Sequence, residues 1–223
     1  MIEYLKSSLL WEVMPYLLQG ALVTIEISLL SMLLALVLGL VAAVAGLSRA
    51  RLPRILAAIY VEVIRGTPLL VQLFIVYYGL PSVGVRLEPF MAGFLTLGAH
   101  YGAYLSEVYR AGIYAVDRGQ WEAAASIGMS RGMILREIIL PQAFKTILPP
   151  VGNYFISMLK DSALVATISV TELLRAGQLR VAITFRAMEI YLIIAAIYLA
   201  MSYALSLLVR YLERRTSQGE NLP

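Results

Sequence analysis

The side chains of this chain that could do chemistry are a few ionisable groups set within long apolar stretches. Arg65, His100, Glu107 and Asp161 each lie in or beside a run of mostly aliphatic and aromatic residues. A charge at the centre of a bilayer costs about 2.5 to 3.5 kcal/mol, so such a group should face protein or a water-filled cavity. These residues therefore predict a polar path that binds a small solute within a membrane.

Asp161 is the strongest of these candidates. Counted at about 1.5 Å per residue from Thr146, where its helix should enter the membrane, Asp161 lies about 22 Å deep. A carboxylate at that depth can bind an ammonium group. The alternative interpretation is a helix cap or an ion pair between helices.

Arg65 lies near the middle of its apolar stretch, about 16 Å along the helix from Arg54. One interpretation is an ion pair with Glu62, one turn earlier in the same helix. The other is a break in the helix at Gly66 and Pro68, where freed carbonyl groups would line protein or a cavity. The residues alone leave both interpretations open.

His100 also lies near the middle of a stretch, about 17 Å from Pro89. It either packs and hydrogen-bonds against a neighbouring helix or contacts the solute, and Tyr101 follows it directly. Glu107 and Arg110 are three residues apart, so we expect them to form a structural ion pair.

Composition indicates an integral membrane protein. Of 223 residues, 60% are hydrophobic and 14% are charged, which exceeds the apolar content of a soluble core. The chain has no Cys and one His, so we predict no disulfide and no metal site. It contains no phosphate-binding Gly-x-x-x-x-Gly-Lys loop and no hydrolase motif. The net charge of +4 bears on membrane topology rather than on nucleic acid.

Five stretches are long and apolar enough to cross a hydrocarbon core of roughly 30 Å. We predict an all-α membrane protein with five transmembrane helices, within residues 15–46, 55–80, 89–116, 142–165 and 188–209. The first stretch is too long for the core of a signal peptide and should remain as an anchor. We predict one domain over residues 1–215 and a disordered tail at residues 216–223.

The arginines predict the orientation. They concentrate after the first, third and fifth spans, so these connections should be cytoplasmic, with the N-terminus outside and the C-terminus inside. Three arginines after the fourth span would then lie outside, where Glu172 and Glu189 would offset their charge. The cytoplasmic set is Arg49, Arg51, Arg54, Arg118, Arg131, Arg136, Arg210, Arg214 and Arg215, and the external set is Arg175, Arg180 and Arg186.

Residues 117–141 form the polar, patterned segment between the third and fourth spans. Ala123, Ala124 and Ala125 would give a helix a smooth face against which a partner could pack closely. Gly128 can end that helix in the left-handed conformation, and Ser130 can cap a second helix that runs to Leu140. The segment therefore predicts a cytoplasmic helical hairpin that docks another protein.

This hairpin resembles the coupling loop of ABC importer permeases at Glu122, Ala123, Ala124, Gly128, Ile139, Leu140 and Pro141. Three other stretches resemble the subfamily for polar amino acids: residues 62–72 with Arg65, Thr67 and Gln72, residues 103–113 with Glu107, and residues 159–162 with Asp161. A further stretch, residues 167–173, resembles a family segment that usually has Gly where this chain has Ser169. The likeness runs from about Gly20 to Arg214.

The resemblance implies a permease subunit of an ATP-driven importer of polar amino acids, with a weak preference for basic ones. It implies that the hairpin residues named above couple to a separate cytoplasmic ATPase dimer, which would hold ATP and Mg²⁺. The other expected partners are a second permease subunit, identical or related, an extracytoplasmic amino acid binding protein, and lipid of the bacterial inner membrane. The expected substrate path consists of Asp161, His100, Tyr101, Arg65, Thr67, Gln72 and Glu107, although relatives tend to have a small polar residue in place of His100.

Two other functions remain open from the residues alone. A proton-coupled carrier would use Glu62, Glu107, His100 and Asp161 as a relay, but five spans without an inverted repeat disfavour it. A membrane scaffold would use the hairpin to recruit a partner and would move no solute.

Overall fold

The protein is built from long helices joined by short connections. The structure, a computed structural model, describes the backbone of residues 2–217 and the side chains of residues 11–215. The helices are α1 Ile2–Leu47, α2 Arg51–Arg65, α3 Leu69–Phe74, α4 Pro89–Tyr114, α5 Arg118–Ser126, α6 Arg131–Met133, α7 Leu140–Asp161, α8 Leu173–Thr184 and α9 Ala187–Ser217. Further π and 3₁₀ segments are Ile75–Gly79, Leu80–Val83, Ile134–Ile139 and Ser162–Ile168. Residues 2–217 contain no strand.

The core lies where α1, α4 and α7 meet. Small residues let α1 and α4 approach closely, as in other helix pairs of membrane proteins. A Cβ atom on Gly39 would lie 3.0 Å from the carbonyl oxygen of Gly102, so there is room only for glycine there. Ile27, Leu97 and Met158, one from each helix, are fully buried beside this seam.

A second apolar cluster joins α1 to α8 and α9 through Leu17, Leu173 and Ile190, all fully buried. We did not predict α8 as a separate element. It begins after Glu172, whose carboxylate accepts hydrogen bonds from the backbone N–H groups of Leu174 and Arg175 at 2.9 and 2.8 Å. This is a side-chain cap that satisfies two free donors at the start of the helix.

Both acidic residues lie near the predicted external arginines. The buried carboxylate of Glu172 accepts from the backbone N–H of Arg175 and not from its guanidinium. Glu189 forms an ion pair with Arg186 at 3.1 Å.

Large aliphatic side chains cover the outer faces of the long helices. Leu33 on α1 and Leu199 on α9 are 60% and 71% exposed, as suits residues that face lipid. Two stretches, Trp11–Leu47 and Ala187–Arg215, are each long and apolar enough to cross a membrane. The bent pair Arg51–Arg65 and Leu69–Val83 is a third candidate, and the count of five spans with their orientation stays a prediction.

The second predicted span is not one straight helix. Its two parts, α2 and the helical segment Leu69–Val83, are bent by 105° at residues 66–68. Pro68 has no backbone N–H and cannot continue the hydrogen-bond pattern of α2. Of the two interpretations left open for Arg65, the break in the helix is therefore confirmed, and the predicted span over residues 55–80 is bent rather than straight.

The helical backbone continues without interruption from Arg131 to Ile168 through α6, a π segment, α7 and a 3₁₀ segment. Pro149 and Pro150 lie inside α7. At the other end of the chain, α9 runs to Ser217, so two residues of the predicted tail are helical and residues 218–223 lie outside the described part.

Candidate functional site

The break between α2 and α3 is closed by side chains. In a continuous helix the carbonyl of Ile64 would accept from the N–H of residue 68, which proline lacks. The side-chain amide nitrogen of Gln72 donates to this carbonyl at 2.7 Å and to the carbonyl of Thr67 at 3.1 Å. The Thr67 hydroxyl in turn donates to the carbonyl of Val63 at 2.9 Å. Thr67 and Gln72 thus satisfy carbonyl groups that the break would leave without donors.

Gln72 also connects the break to α4. Its side-chain oxygen lies 3.1 Å from Nδ1 of His100, and both residues are buried. The imidazole of His100 packs against the rings of Tyr101 and Tyr104, with ring centroids 5.4 and 5.1 Å away. His100 therefore hydrogen-bonds a neighbouring helix and also faces an aromatic cluster.

The aromatic cluster surrounds the hydrogen bond made by Asp161. The hydroxyl of Tyr101 donates to the carboxylate of Asp161 at 2.6 Å, joining α4 to the end of α7. Tyr154 lies against both Tyr101 and Tyr104, with centroids 6.2 and 5.5 Å away. Among the described residues Asp161 forms no ion pair, so no cation in that part of the chain neutralises its half-buried carboxylate.

Arg65 contacts the aromatic cluster at Tyr104 and links it to Glu107. Its guanidinium lies 5.2 Å from the ring centroid of Tyr104, within the range of a cation–π contact. It also lies 4.0 Å from the carboxylate of Glu107, which pairs with Arg110 at 2.8 Å. The predicted pair of Glu107 and Arg110 is thus confirmed, whereas the alternative pair of Arg65 with Glu62 does not form.

These charged groups border a cavity of about 270 Å³ between α1, α2 and α4. Arg54, Arg65 and Arg110 line it together with Glu62 and Glu107. The side chains of Arg65, Glu107 and Arg110 are between 37% and 44% exposed, so they are only partly covered by protein. Ionisable groups within an apolar helix bundle are expected to face protein or a water-filled cavity, as these do.

The hairpin of residues 117–141 forms largely as predicted. Asp117 caps α5 by accepting from the N–H of Gly119 at 2.7 Å, and Gly128 ends the turn with φ of +82°. Ser130 accepts from the N–H of Met133 at 3.4 Å at the start of α6. The second arm does not stop at Leu140, because its backbone passes through the π segment into α7.

The predicted docking residues divide into two groups. Ala124 and Ile139 are buried with Ile134 in the apolar cluster that closes the hairpin. Glu122, Ala123, Gly128, Leu140 and Pro141 are exposed. Only the second group can meet a partner directly, and Ala124 and Ile139 hold the two arms together instead.

Comparison with known proteins decides the family. Residues 35–218 match the family described as the binding-protein-dependent transport system inner membrane component. This chain belongs to that family. Members are permease subunits of ABC transporters, which are not enzymes themselves, and the ATPase lies in a separate subunit.

Several transport proteins resemble this permease over most of their length. The glutamine transport system permease protein of Escherichia coli is 39% identical over 210 residues, covering 93% of this chain and 96% of that protein. The L-cystine transport system permease protein of Bacillus subtilis is 42% identical over 202 residues, covering 90% and 86%. The arginine transport system permease protein of Bacillus subtilis is 36% identical over 207 residues, covering 92% and 94%.

Solved structures share the fold of the permease. A crystal structure described as an amino acid ABC transporter with histidines has a TM-score of 0.89 and 42% identity, covering 92% of this chain and 96% of that chain. An inward-facing methionine ABC transporter has a TM-score of 0.78 at 19% identity, covering 92% and 98%, and supports the fold alone.

All seven predicted path residues of the permease fall into two adjoining groups. Asp161, Tyr101, His100, Gln72 and Thr67 are linked in sequence by hydrogen bonds and ring contacts. Arg65 and Glu107 form the second group, which meets the first at Tyr104. Within the described residues, no three His, Cys, Asp or Glu side chains come together as ligands for a metal.

Sequence reasoning missed two residues of the permease that matter to this arrangement. Tyr154 completes the aromatic cluster, but one tyrosine in an apolar helix resembles many interfacial ones. Glu172 joins three helices, and its signal was the position of an acidic residue just before a helix, which is a preferred capping position.

Proposed function

We propose that this permease spans the bacterial inner membrane five times and carries polar amino acids inward, with the N-terminus outside and the C-terminus in the cytoplasm. Basic amino acids and glutamine are the first candidates, because similar proteins carry the names of arginine and glutamine transport systems. The carboxylate of Asp161, which accepts from Tyr101 and forms no ion pair with a described residue, would bind an ammonium group of the substrate.

The observation that carries this proposal is the helical connection between the hairpin and Asp161. The second arm of the hairpin and the helix that ends at Asp161 form one continuous helical backbone from Arg131. At about 1.5 Å per residue this backbone is about 45 Å long. A displacement of the hairpin would therefore reach the predicted substrate contact through covalent structure, without passing through a loop.

The partners follow from the family. A second permease subunit, the same chain or a relative, would complete the pathway, and a cytoplasmic ATPase dimer would hold ATP and Mg²⁺. An extracytoplasmic binding protein would deliver the amino acid. Closure of the ATPase pair on ATP would move the docked hairpins and shift the permease between inward-open and outward-open states.

The test is a charge reversal on the exposed face of the hairpin. Glu122→Lys changes a side chain that is 72% exposed, so the permease should still fold and insert. In proteoliposomes that contain the complex with its ATPase and binding protein, uptake of arginine or glutamine should fall at least tenfold while basal ATP hydrolysis continues.

Glu137→Lys is the matched control, because Glu137 is 59% exposed on the other arm and lies outside the predicted docking residues. Uptake by the control should stay within about twofold of the unaltered complex, as is usual for exposed substitutions. Normal uptake by Glu122→Lys would contradict the docking role of the hairpin.

A further inference from the structure

The orientation of the Gln72 side-chain amide is fixed by its surroundings. Three oxygens surround the amide nitrogen: the carbonyls of Ile64 and Thr67 at 2.7 and 3.1 Å, and the Thr67 hydroxyl at 2.8 Å. Carbonyl oxygens only accept hydrogen bonds, so a donor must face them. The reversed amide would place its own oxygen against these oxygens, and the network therefore excludes it.

The fixed amide determines which nitrogen of His100 carries a proton. The Gln72 oxygen lies 3.1 Å from Nδ1 of His100, and a carbonyl oxygen at that distance requires a donor. Nδ1 must therefore be the protonated nitrogen of the neutral ring, which leaves Nε2 as a hydrogen-bond acceptor. Pro68 thus affects the tautomer of His100 indirectly. Because Pro68 has no N–H, the carbonyl of Ile64 is left to accept from the Gln72 amide and so orients it.

Nε2 of His100 is the ring nitrogen that the Gln72 contact leaves available. It makes no hydrogen bond with another described residue. In the described part of the chain, the buried side-chain nitrogen and oxygen atoms that lack a partner are Arg110 Nε and Ser202 Oγ. Nε2 of His100 is also unpaired but is not one of these buried atoms. Part of its surface is therefore accessible, although the His100 residue as a whole is only 8% exposed.

A second acceptor lies across the same aromatic cluster. Tyr101 packs against the imidazole of His100 and donates its hydroxyl to the carboxylate of Asp161. The cluster is therefore bordered by a neutral acceptor and an anionic acceptor. A solute that fits this arrangement carries hydrogen-bond donors at two places. An acidic side chain would instead face the lone pair of His100 Nε2 and the negative charge of Asp161.

We propose that Gln72 holds His100 as the Nδ1–H tautomer, so that Nε2 accepts a hydrogen bond from the side chain of the transported amino acid. Gln72 is a positioning residue in this arrangement, and His100 determines specificity. The proposal rests on the amino acid transport proposed above and deepens it. It favours side chains with N–H donors, such as guanidinium, ammonium or amide groups, over carboxylate side chains.

The tautomer can be measured directly because the chain contains one His. The complex is purified with ¹⁵N-labelled histidine in this permease only, and the two ring nitrogens are observed by solid-state NMR. At pH about 8.5, where an ordinary imidazole is neutral, we expect a protonated Nδ1 and an unprotonated Nε2. A proton on Nε2 in the unaltered protein would overturn the proposal.

Gln72→Ala tests whether Gln72 imposes the tautomer. The variant removes the one acceptor that Nδ1 contacts among the described residues, so the Nε2–H form should appear. Gln142→Ala is the matched control, because Gln142 is an exposed glutamine that bonds Ile138 and Gln120 and not His100. An unchanged tautomer in a folded Gln72→Ala variant would overturn the role of Gln72. These measurements need no transport, so their failure is distinct from failure of the proposed function.

His100→Phe tests the contact with the substrate. Phe keeps a flat ring in the aromatic cluster and removes the acceptor. Calorimetric titration of the purified complex without binding protein should show a Kd for arginine about five- to a hundredfold higher in the variant, the range expected when a buried donor loses its partner. In the unaltered complex, arginine should also shift the ¹⁵N signal of Nε2, and glutamate should not. An unchanged arginine Kd, or an equal shift with glutamate, would overturn the assignment of specificity.

Discussion

Glu172 should be one of the side chains on which the stability of this permease depends most. Its carboxylate is fully buried and accepts from two backbone N–H groups at the start of α8. The hydroxyl of Tyr198 on α9 donates to it at 2.6 Å, and that of Thr24 on α1 lies at 3.4 Å. Thr24 also accepts from the N–H of Leu173 at 3.1 Å. One carboxylate thus ties α8 to both the first and the last helix.

Glu172→Ala removes the cap and a shared acceptor. The lost cap costs about 1 kcal/mol. The Tyr198 hydroxyl, half-buried on α9, loses its acceptor at a further cost of about 1 to 3 kcal/mol. The sum is about 2 to 4 kcal/mol, which corresponds to a fall in apparent Tm of about 4 to 16 °C for a protein of this size.

Tyr198→Phe should have a smaller effect, because the carboxylate keeps both backbone donors. We expect a cost of about 1 kcal/mol, since this variant removes one hydrogen bond while the carboxylate keeps its other donors. Glu172→Gln should lie between the two variants, because it keeps the volume but turns an amide N–H₂ toward backbone N–H groups.

The assay is the thermal stability of the purified complex, followed by its loss from the monodisperse peak in size-exclusion chromatography. Glu137→Ala on the exposed hairpin is the control and should change the apparent Tm by no more than about 1 to 2 °C. The reasoning would be refuted if Glu172→Ala behaved like this control, or if Tyr198→Phe destabilised the complex as much as Glu172→Ala.

Three other predictions follow from backbone geometry and from the absence of Cys in the chain. Gly20→Ala should destabilise the complex by about 1 to 3 kcal/mol, because its Cβ would lie 2.9 Å from backbone of α8, whereas Gly132→Ala meets nothing within 4 Å and should be neutral in the same thermal assay. Ser169→Gly should raise stability by about 1 kcal/mol, because Ser169 has φ of +70°, and an unchanged or lower apparent Tm would contradict this. The predicted orientation places Ile127 in the cytoplasm and Val83 outside, and the chain has no Cys of its own. An impermeant maleimide added to whole cells should therefore label Val83→Cys and not Ile127→Cys, and the reverse pattern would refute the orientation.

Local signals in the sequence predicted the hairpin well. Gly128 and Ser130 act through their own backbone and side-chain geometry, so their roles could be inferred without knowledge of distant contacts. The sequence did not settle the backbone geometry at Ser169, where the family segment usually has Gly, and the structure places Ser169 in a left-handed conformation. The helix break was one of two open interpretations, because Pro68 signals a break without giving its angle.

Contacts between distant segments could not be inferred in the same way. The pairing of Gln72 with His100 joins residues 28 positions apart, and that of Tyr101 with Asp161 joins residues 60 positions apart. Each pair depends on how α3, α4 and α7 pack, which hydrophobic patterning does not specify in helices that are apolar on most faces. For the same reason the sequence did not show which of Ala123, Ala124 and Ala125 faces inward, since all three have equal helix propensity; the structure buries Ala124.

The two prolines inside α7 change how motion can travel along this helix. Pro149 and Pro150 each remove a backbone donor, so this point is where the helix bends at least cost. Asp161 lies about 16 Å beyond it, so a bend of about 10° would swing the carboxylate sideways by about 3 Å. The part of α7 beyond the prolines would then tilt relative to the part before them, and the helix would not move as one rigid body. Such a swing exceeds the length of the hydrogen bond between Tyr101 and Asp161, so it would be enough to open that contact and to uncover the carboxylate.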